Sequence, residues 1–190
     1  MIATRKTGII IPALCFLCFL VGCAPHSETT SNKIPDYNAE PKRVFLVSYI
    51  GNDFGGDFYK AFVEKVDALV GECGAEFAMT TVSSLDLDPK VHTQKINNFR
   101  PDALLSLRHP SGTIGYSNTR DGIVKVIYEA ELVDVVSRKP AWRAHFDFFK
   151  GSPTRAELSS KSYIGEALAT DLVNQLKKDG IFRSCASPPA

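Results

Sequence analysis

The sequence predicts a single α/β (α+β) domain: a three-layer-like mixed sheet of about five strands in the order β-α-β-α-β-β-β-α, with a parallel core and an antiparallel hairpin at its edge. Three observations carry this. Residues 44–50 and 103–107 are nearly continuous apolar runs, which suit strands covered on both faces. Helical periodicity separates the early strands, so they need crossover connections and parallel pairing. Two later strands alternate apolar and polar residues, the pattern of one buried and one wet face.

The first strand, residues 44–50 (VFLVSYI), is β-branched and aromatic. The turn 51–56 follows, and Asp57 is placed to cap a helix. In that helix Phe58, Phe62, Val66, Leu69 and Val70 share a stripe while Lys60, Glu64, Lys65 and Asp67 face away. Gly71 and Gly74 stop it. A second strand runs over 76–82. Asp88-Pro89 opens a shorter helix carrying Val91, Ile96 and Phe99, with proline at its first position and Pro101 after its end. The third strand is 103–107, and residues 109–122 form a long loop. In the hairpin, Val124, Val126, Tyr128, Ala130 and Leu132 share one face, and Lys125, Glu129 and Glu131 the other. On the returning strand Trp142, Ala144, Phe146 and Phe148 oppose Arg143, His145 and Asp147, with the turn at 137–140. Thr154-x-x-Glu157 resembles a capping box. It precedes a long helix with Leu158, Ile164, Ala167, Leu168, Leu172 and Leu176, which Gly180 ends.

The amino terminus has its own logic. Arg5 and Lys6, then an apolar run from Gly8 to Val21, precede Leu20-Val21-Gly22-Cys23. A basic start, a short apolar region and small residues at the cut describe a secretory signal. The run is about two-thirds of the roughly 20 residues that span a bilayer. With cysteine after the cut, the motif resembles the lipobox of bacterial lipoproteins. That resemblance implies cleavage after Gly22, diacylglycerol on the Cys23 thiol and acylation of the new amino terminus. Ala24, in place of Asp, implies sorting to the outer membrane, facing the periplasm. The lipid bilayer is thus one expected partner. The alternative is an uncleaved membrane anchor. Residues 23–42 are poor in apolar side chains and hold three prolines, so they read as a lipidated flexible tether. Such a chain reaches on the order of 25 Å. The domain is then 43–183, with 184–190 a frayed tail.

Charge and cysteines narrow the function. The whole chain has 22 basic and 21 acidic residues. Removing residues 1–22, which contain Arg5 and Lys6 and no acid, leaves 20 against 21, a net charge of −1. Such a chain lacks the basic footprint of a nucleic-acid binder. Cys15-x-x-Cys18 has redox or metal spacing but lies in the signal. Cys73 and Cys185 remain, a pair in an oxidising compartment, and are expected as a disulfide; two unpaired thiols are the alternative.

Candidate chemistry is sparse. The 51–56 loop follows a strand and opens a helix, where α/β folds bind phosphates. Its spacing matches neither G-x-G-x-x-G nor the P-loop, and Asp53 and Asp57 repel anions. It is either a plain turn or one that presents Phe54 to a partner. Arg108-His109 near Ser111 has no nucleophile setting around it, and His145 reads as a cross-strand polar partner. His26 lies in the tether, and Asp86 and Asp88 flank Leu87 in a turn. With no H-x-H, H-E-x-x-H or C-x-x-C after the signal, no metal and no cofactor are expected. An edge hairpin accepts another strand. Phe54, His109, Tyr116, Lys125, Glu129, Glu131, Arg143 and His145 are therefore the candidate partner-binding residues.

Residues 99–105 (FRPDALL) and 139–144 (KPAWRA) read as "helix end, Pro-Asp, apolar strand" and "turn, Trp strand". On a lipid tether, this order resembles the small α/β domain of the TolB amino-terminal domain, the curli secretion lipoprotein and the penicillin-binding-protein activator lipoproteins. The resemblance spans roughly 43–182 and implies binding rather than catalysis. It points to a non-catalytic accessory subunit of an envelope assembly or secretion machine, with an envelope protein as partner. A cell-wall or small-molecule hydrolase, or a purely structural envelope lipoprotein, are the competing classes.

Overall fold

The apolar runs become adjacent strands, and the amphipathic stretches become the helices between them. A computed structural model of the chain describes residues 26–50, 56–110, 117–118, 124–150 and 162–185. Its elements are β1 (His26–Lys33), β2 (Arg43–Ser48), α1 (Gly56–Gly71), β3 (Glu76–Thr81), α2 (Lys90–Phe99), β4 (Ala103–Arg108), β5 (Ser117–Asn118), β6 (Val124–Asp134), β7 (Lys139–Lys150) and α3 (Ser162–Lys178). The sheet runs β1-β7-β6-β4-β2-β3, with the short β5 paired to β6. β2 is parallel to β3 and β4, and β6 and β7 form the antiparallel hairpin. The predicted mixed architecture is present.

One face of the sheet, here the front, carries the core. Val44, Leu46, Leu105, Leu107, Tyr128, Leu132, Trp142, Phe146 and Phe148 pack there against α1 and α3. The hydrophobic stripe of α1 buries Phe58, Phe62, Val66 and Val70, and α3 buries Ile164, Leu168, Leu172 and Leu176. The two helices approach closely at Gly165, where a Cβ would collide with the Phe58 carbonyl oxygen. Tyr128 and Phe146 stack across the hairpin with centroids 4.5 Å apart. The Tyr128 hydroxyl donates to Leu168 O at 3.3 Å. Burial, then the Asp171 charge, pushes that phenol well above its ordinary value.

Three expectations need correction. Residues 26–33 are not a flexible tether: all eight pair with β7, from His26 opposite Phe149 to Lys33 opposite Trp142. A polar edge strand is ordered by its backbone ladder, so scarcity of apolar side chains is a poor guide to it. Pro25 and Pro35 bracket it, consistent with proline's missing donor. The chain stays attached beyond the strand. Ile34 N donates to Ala141 O at 3.0 Å. Half-buried Tyr37 has its phenol pushed up to about 12 by burial, then by Asp134 and Asp102.

The hairpin is consequently not at the sheet's edge. β7 lies between β1 and β6, and β6 between β7 and β4, so the strand-accepting edge is already filled from within the chain. Counting β1, six strands rather than five form the path, with β5 beside it.

The third correction concerns the tail. Cys185 is disulfide-bonded to Cys73, 112 residues away. Ser184 N donates to Glu40 Oε1 at 2.9 Å, and Ser184 Oγ lies against both that carboxylate and Cys73 O. These hydrogen bonds from Ser184, with Lys42 nearby, hold the Glu40 carboxyl down at about 2. The Thr154–Glu157 capping box falls outside the described residues.

Candidate functional site

The back of the sheet is divided. Over β2 and β3 it is roofed by α2. Phe99 packs on Phe45 with centroids 5.6 Å apart, and the Arg43 guanidinium lies 4.8 Å over the Phe99 ring. Thr80 Oγ1 and His92 Nδ1 are 2.8 Å apart. Arg100, at φ 53°, ends α2 in the left-handed region. Asp102 then accepts from Lys42 N at 2.8 Å and Arg43 N at 3.0 Å, tying β4 to the start of β2. The Pro-Asp stretch singled out in the sequence therefore has a structural task.

Over β6, β7 and β1 no helix covers the back among the described residues. Alternation sends Glu129 and Glu131 of β6, and Arg143 and His145 of β7, to this face. The register then places Glu131 directly opposite Arg143 and Glu129 opposite His145. Glu131 and Arg143 form a salt bridge. Arg108 of β4 donates to Glu129 Oε2 at 3.2 Å, and His145 Nδ1 stands 4.0 Å from Glu129 Oε1. The pairs line a shallow trough of about 340 Å³, flanked by Thr30 and Asn32 of β1. A second hollow shares Arg108 and Glu131 and continues over Val47, Tyr49, Leu104 and Val133. Charged and apolar surface thus adjoin on one exposed face.

Four of the expected partner-binding residues, Glu129, Glu131, Arg143 and His145, come together here. His109 does not join them; its Nδ1 lies 2.9 Å from Ile127 O at the end of β4. The Lys125 backbone pairs with Phe149 and Ser117, and its side chain lies outside the described set, as do Phe54, Tyr116 and Cys23. The sequence reading missed Arg108 as a member of the patch, and missed Thr30 and Asn32. Arg108 lies one residue beyond the apolar run 103–107, and the strand extends to include it. Thr30 and Asn32 needed knowledge that β1 exists.

The other distinctive stretch, residues 139–144, also has a packing role. Trp142 is buried, and its indole N–H donates to Asp179 Oδ2 at 2.6 Å. Gln175 Nε2 donates to Ser31 Oγ at 2.7 Å, linking α3 to β1. Among the described residues no group of three or more His, Cys, Asp or Glu is placed to hold a metal ion. Among them, too, no helix is long and apolar enough to cross a membrane.

No protein-family model and no curated protein matches this chain. Solved structures do resemble it at low identity. The PelC dodecamer from Paraburkholderia phytofirmans is 16% identical, covering 80% of this chain and 95% of that one, with a TM-score of 0.47. Lipoprotein GNA1162 from Neisseria meningitidis is 17% identical over 73% of this chain and 99% of its own, with a TM-score of 0.40. A minor lipoprotein from Acinetobacter baumannii is 10% identical over 73% and 94%, with a TM-score of 0.35.

Proposed function

We propose that this chain is a lipid-anchored, periplasm-facing outer-membrane protein that acts without catalysis, as a binding subunit of a cell-envelope assembly or secretion machine. The anchor rests on Leu20-Val21-Gly22-Cys23 and its flanks. The binding role rests on one observation: α2 covers the back of the sheet over β3 and part of β2, whereas among the described residues no helix covers it over β6, β7 and β1. The open part offers salt-bridged charges beside an apolar hollow, the mixed surface of a non-obligate protein interface. It is shallow, unlike the deep apolar pockets that enclose small ligands. The partner meets the face of the sheet rather than a free edge of the hairpin, since β1 occupies that edge.

Crosslinking and pull-down from intact envelopes tests this, comparing wild type with Glu131→Arg. The reversal sets a second cation face to face with Arg143. A defined partner captured by the wild type and lost in the variant is the expected result. Equal capture by both, or no partner for either, contradicts the reading.

A further inference from the structure

Two features of the molecule lie at one end of the sheet, and neither is used above. The first is where the anchor emerges. Only Ala24 and Pro25 separate Cys23 from His26, the first residue of β1. Three Cα–Cα steps of 3.8 Å limit that separation to roughly 11 Å. Because β1 is ordered, the acylated cysteine is held at the His26 end of the strand rather than on a long leash. His26 pairs with Phe149 near the end of β7, which in turn lies beside the start of β6. β6 is antiparallel to β4, and β2 and β3 are parallel to β4. The anchor therefore lies at the end of the sheet where β2, β3 and β4 finish.

The second feature is the turn that leaves β3 at that end. Leu85 is 84% exposed and Leu87 is fully exposed. The neighbouring carboxylates are turned back to close the loop. Asp86 Oδ2 accepts from Ser83 N at 2.6 Å and lies 2.9 Å from His92 Nε2, and Asp88 Oδ1 accepts from Lys90 N at 2.9 Å. Those interactions, the Ser83 amide foremost, hold the Asp86 carboxyl below its usual range. A single exposed leucine needs no explanation. Two on one turn, with half-exposed Val91 close behind on α2, form an apolar tip, and Lys90 and Lys95 beside it balance the charges of Asp86 and Asp88.

β1 and β3 are the opposite edges of the six-strand path. Five interstrand gaps of about 4.8 Å separate the two edges by roughly 24 Å across the strands, and the register carries His26 five residues beyond Ser31, the β1 residue level with Thr81 at the end of β3. We propose that this end rests on the lipid bilayer at two points, the acyl chains of Cys23 at one corner and Leu85 and Leu87 inserted among the headgroups and upper acyl chains at the other. Two separated contacts remove the free tumbling of a single tether and leave only rotation about the line that joins them. The inference rests on the lipid-anchor reading of Cys23 given above.

The test uses the full lipidated protein in phosphatidylethanolamine–phosphatidylglycerol vesicles whose acyl chains are brominated near the headgroup. Tryptophan is introduced as Leu87→Trp or, at the opposite end of the sheet, as Val136→Trp. The only native tryptophan, Trp142, is buried and common to both. The expected result is fluorescence quenching about twofold or more stronger at 87 than at 136, as for a side chain that sits in the interface. Equal quenching at both positions, or stronger quenching at 136, overturns two-point docking, including the case in which the leucines meet a protein instead. Intact-mass analysis of Cys23 separates the two readings. An acylated cysteine with an unquenched Trp at 87 removes only the docking, whereas an unacylated Cys23 removes the anchor reading and the docking with it.

Discussion

Strands β6 and β7 present two faces built from alternate residues of the same chain, and the two faces have opposite fates. Tyr128, Leu132, Trp142 and Phe146 point forward and are at most 1% exposed, packed among α1 and α3. Glu129, Glu131, Arg143 and His145 point back into an open trough. The front residues hold the fold, because removing a well-packed aromatic leaves a cavity that cannot fully collapse. The back residues form exposed ion pairs, which contribute little to stability. A face whose side chains cost little to change is available for recognition.

Substitutions sharpen that contrast. The largest effect is expected for Phe146→Ala, a loss of about 3–5 kcal/mol in urea unfolding. Next, replacing Cys73 and Cys185 together by Ser should cost about 2–4 kcal/mol by the same measurement, since the bridge closes a separation of 112 residues. A smaller effect is expected at Glu40. Its carboxyl is lowered from 4.5 to about 2, so its contribution is present above pH 4.5 and is lost as pH falls toward 2. Wild type and Glu40→Gln should therefore differ in thermal midpoint near neutral pH and converge over that acid range. The smallest stability change, within about 1 kcal/mol, is expected for the exchange Glu131→Arg with Arg143→Glu, which keeps one ion pair across the strands.

How far the sequence reveals this depends on the element. Helical stripes such as Phe58, Phe62 and Val66, and the alternation through the hairpin, announce the front layer, because burial writes a period into the chain. β1 writes none. Its order comes from backbone bonds to β7, and its side chains are those of a linker. That omission made the hairpin look like an edge and hid Thr30 and Asn32 from the candidate site. Alternation assigned Glu129, Glu131, Arg143 and His145 to one face. The pairing of Glu131 with Arg143 depends on register, and a bulge between Leu132 and Val133 shifts it in a way that residue spacing does not reveal. Leu85 and Leu87 sit in an acidic turn with no periodicity, so their exposure became visible only in three dimensions.

The role proposed for the open back face is recognition of a partner with little contribution to the fold. The charge-exchanged protein, Glu131→Arg with Arg143→Glu, tests it most directly when thermal unfolding and crosslinking in intact envelopes are measured on the same variant. The expected result is an unfolding midpoint close to wild type together with loss of the crosslinked partner. A variant that keeps its partner, or one that unfolds far below wild type, contradicts it.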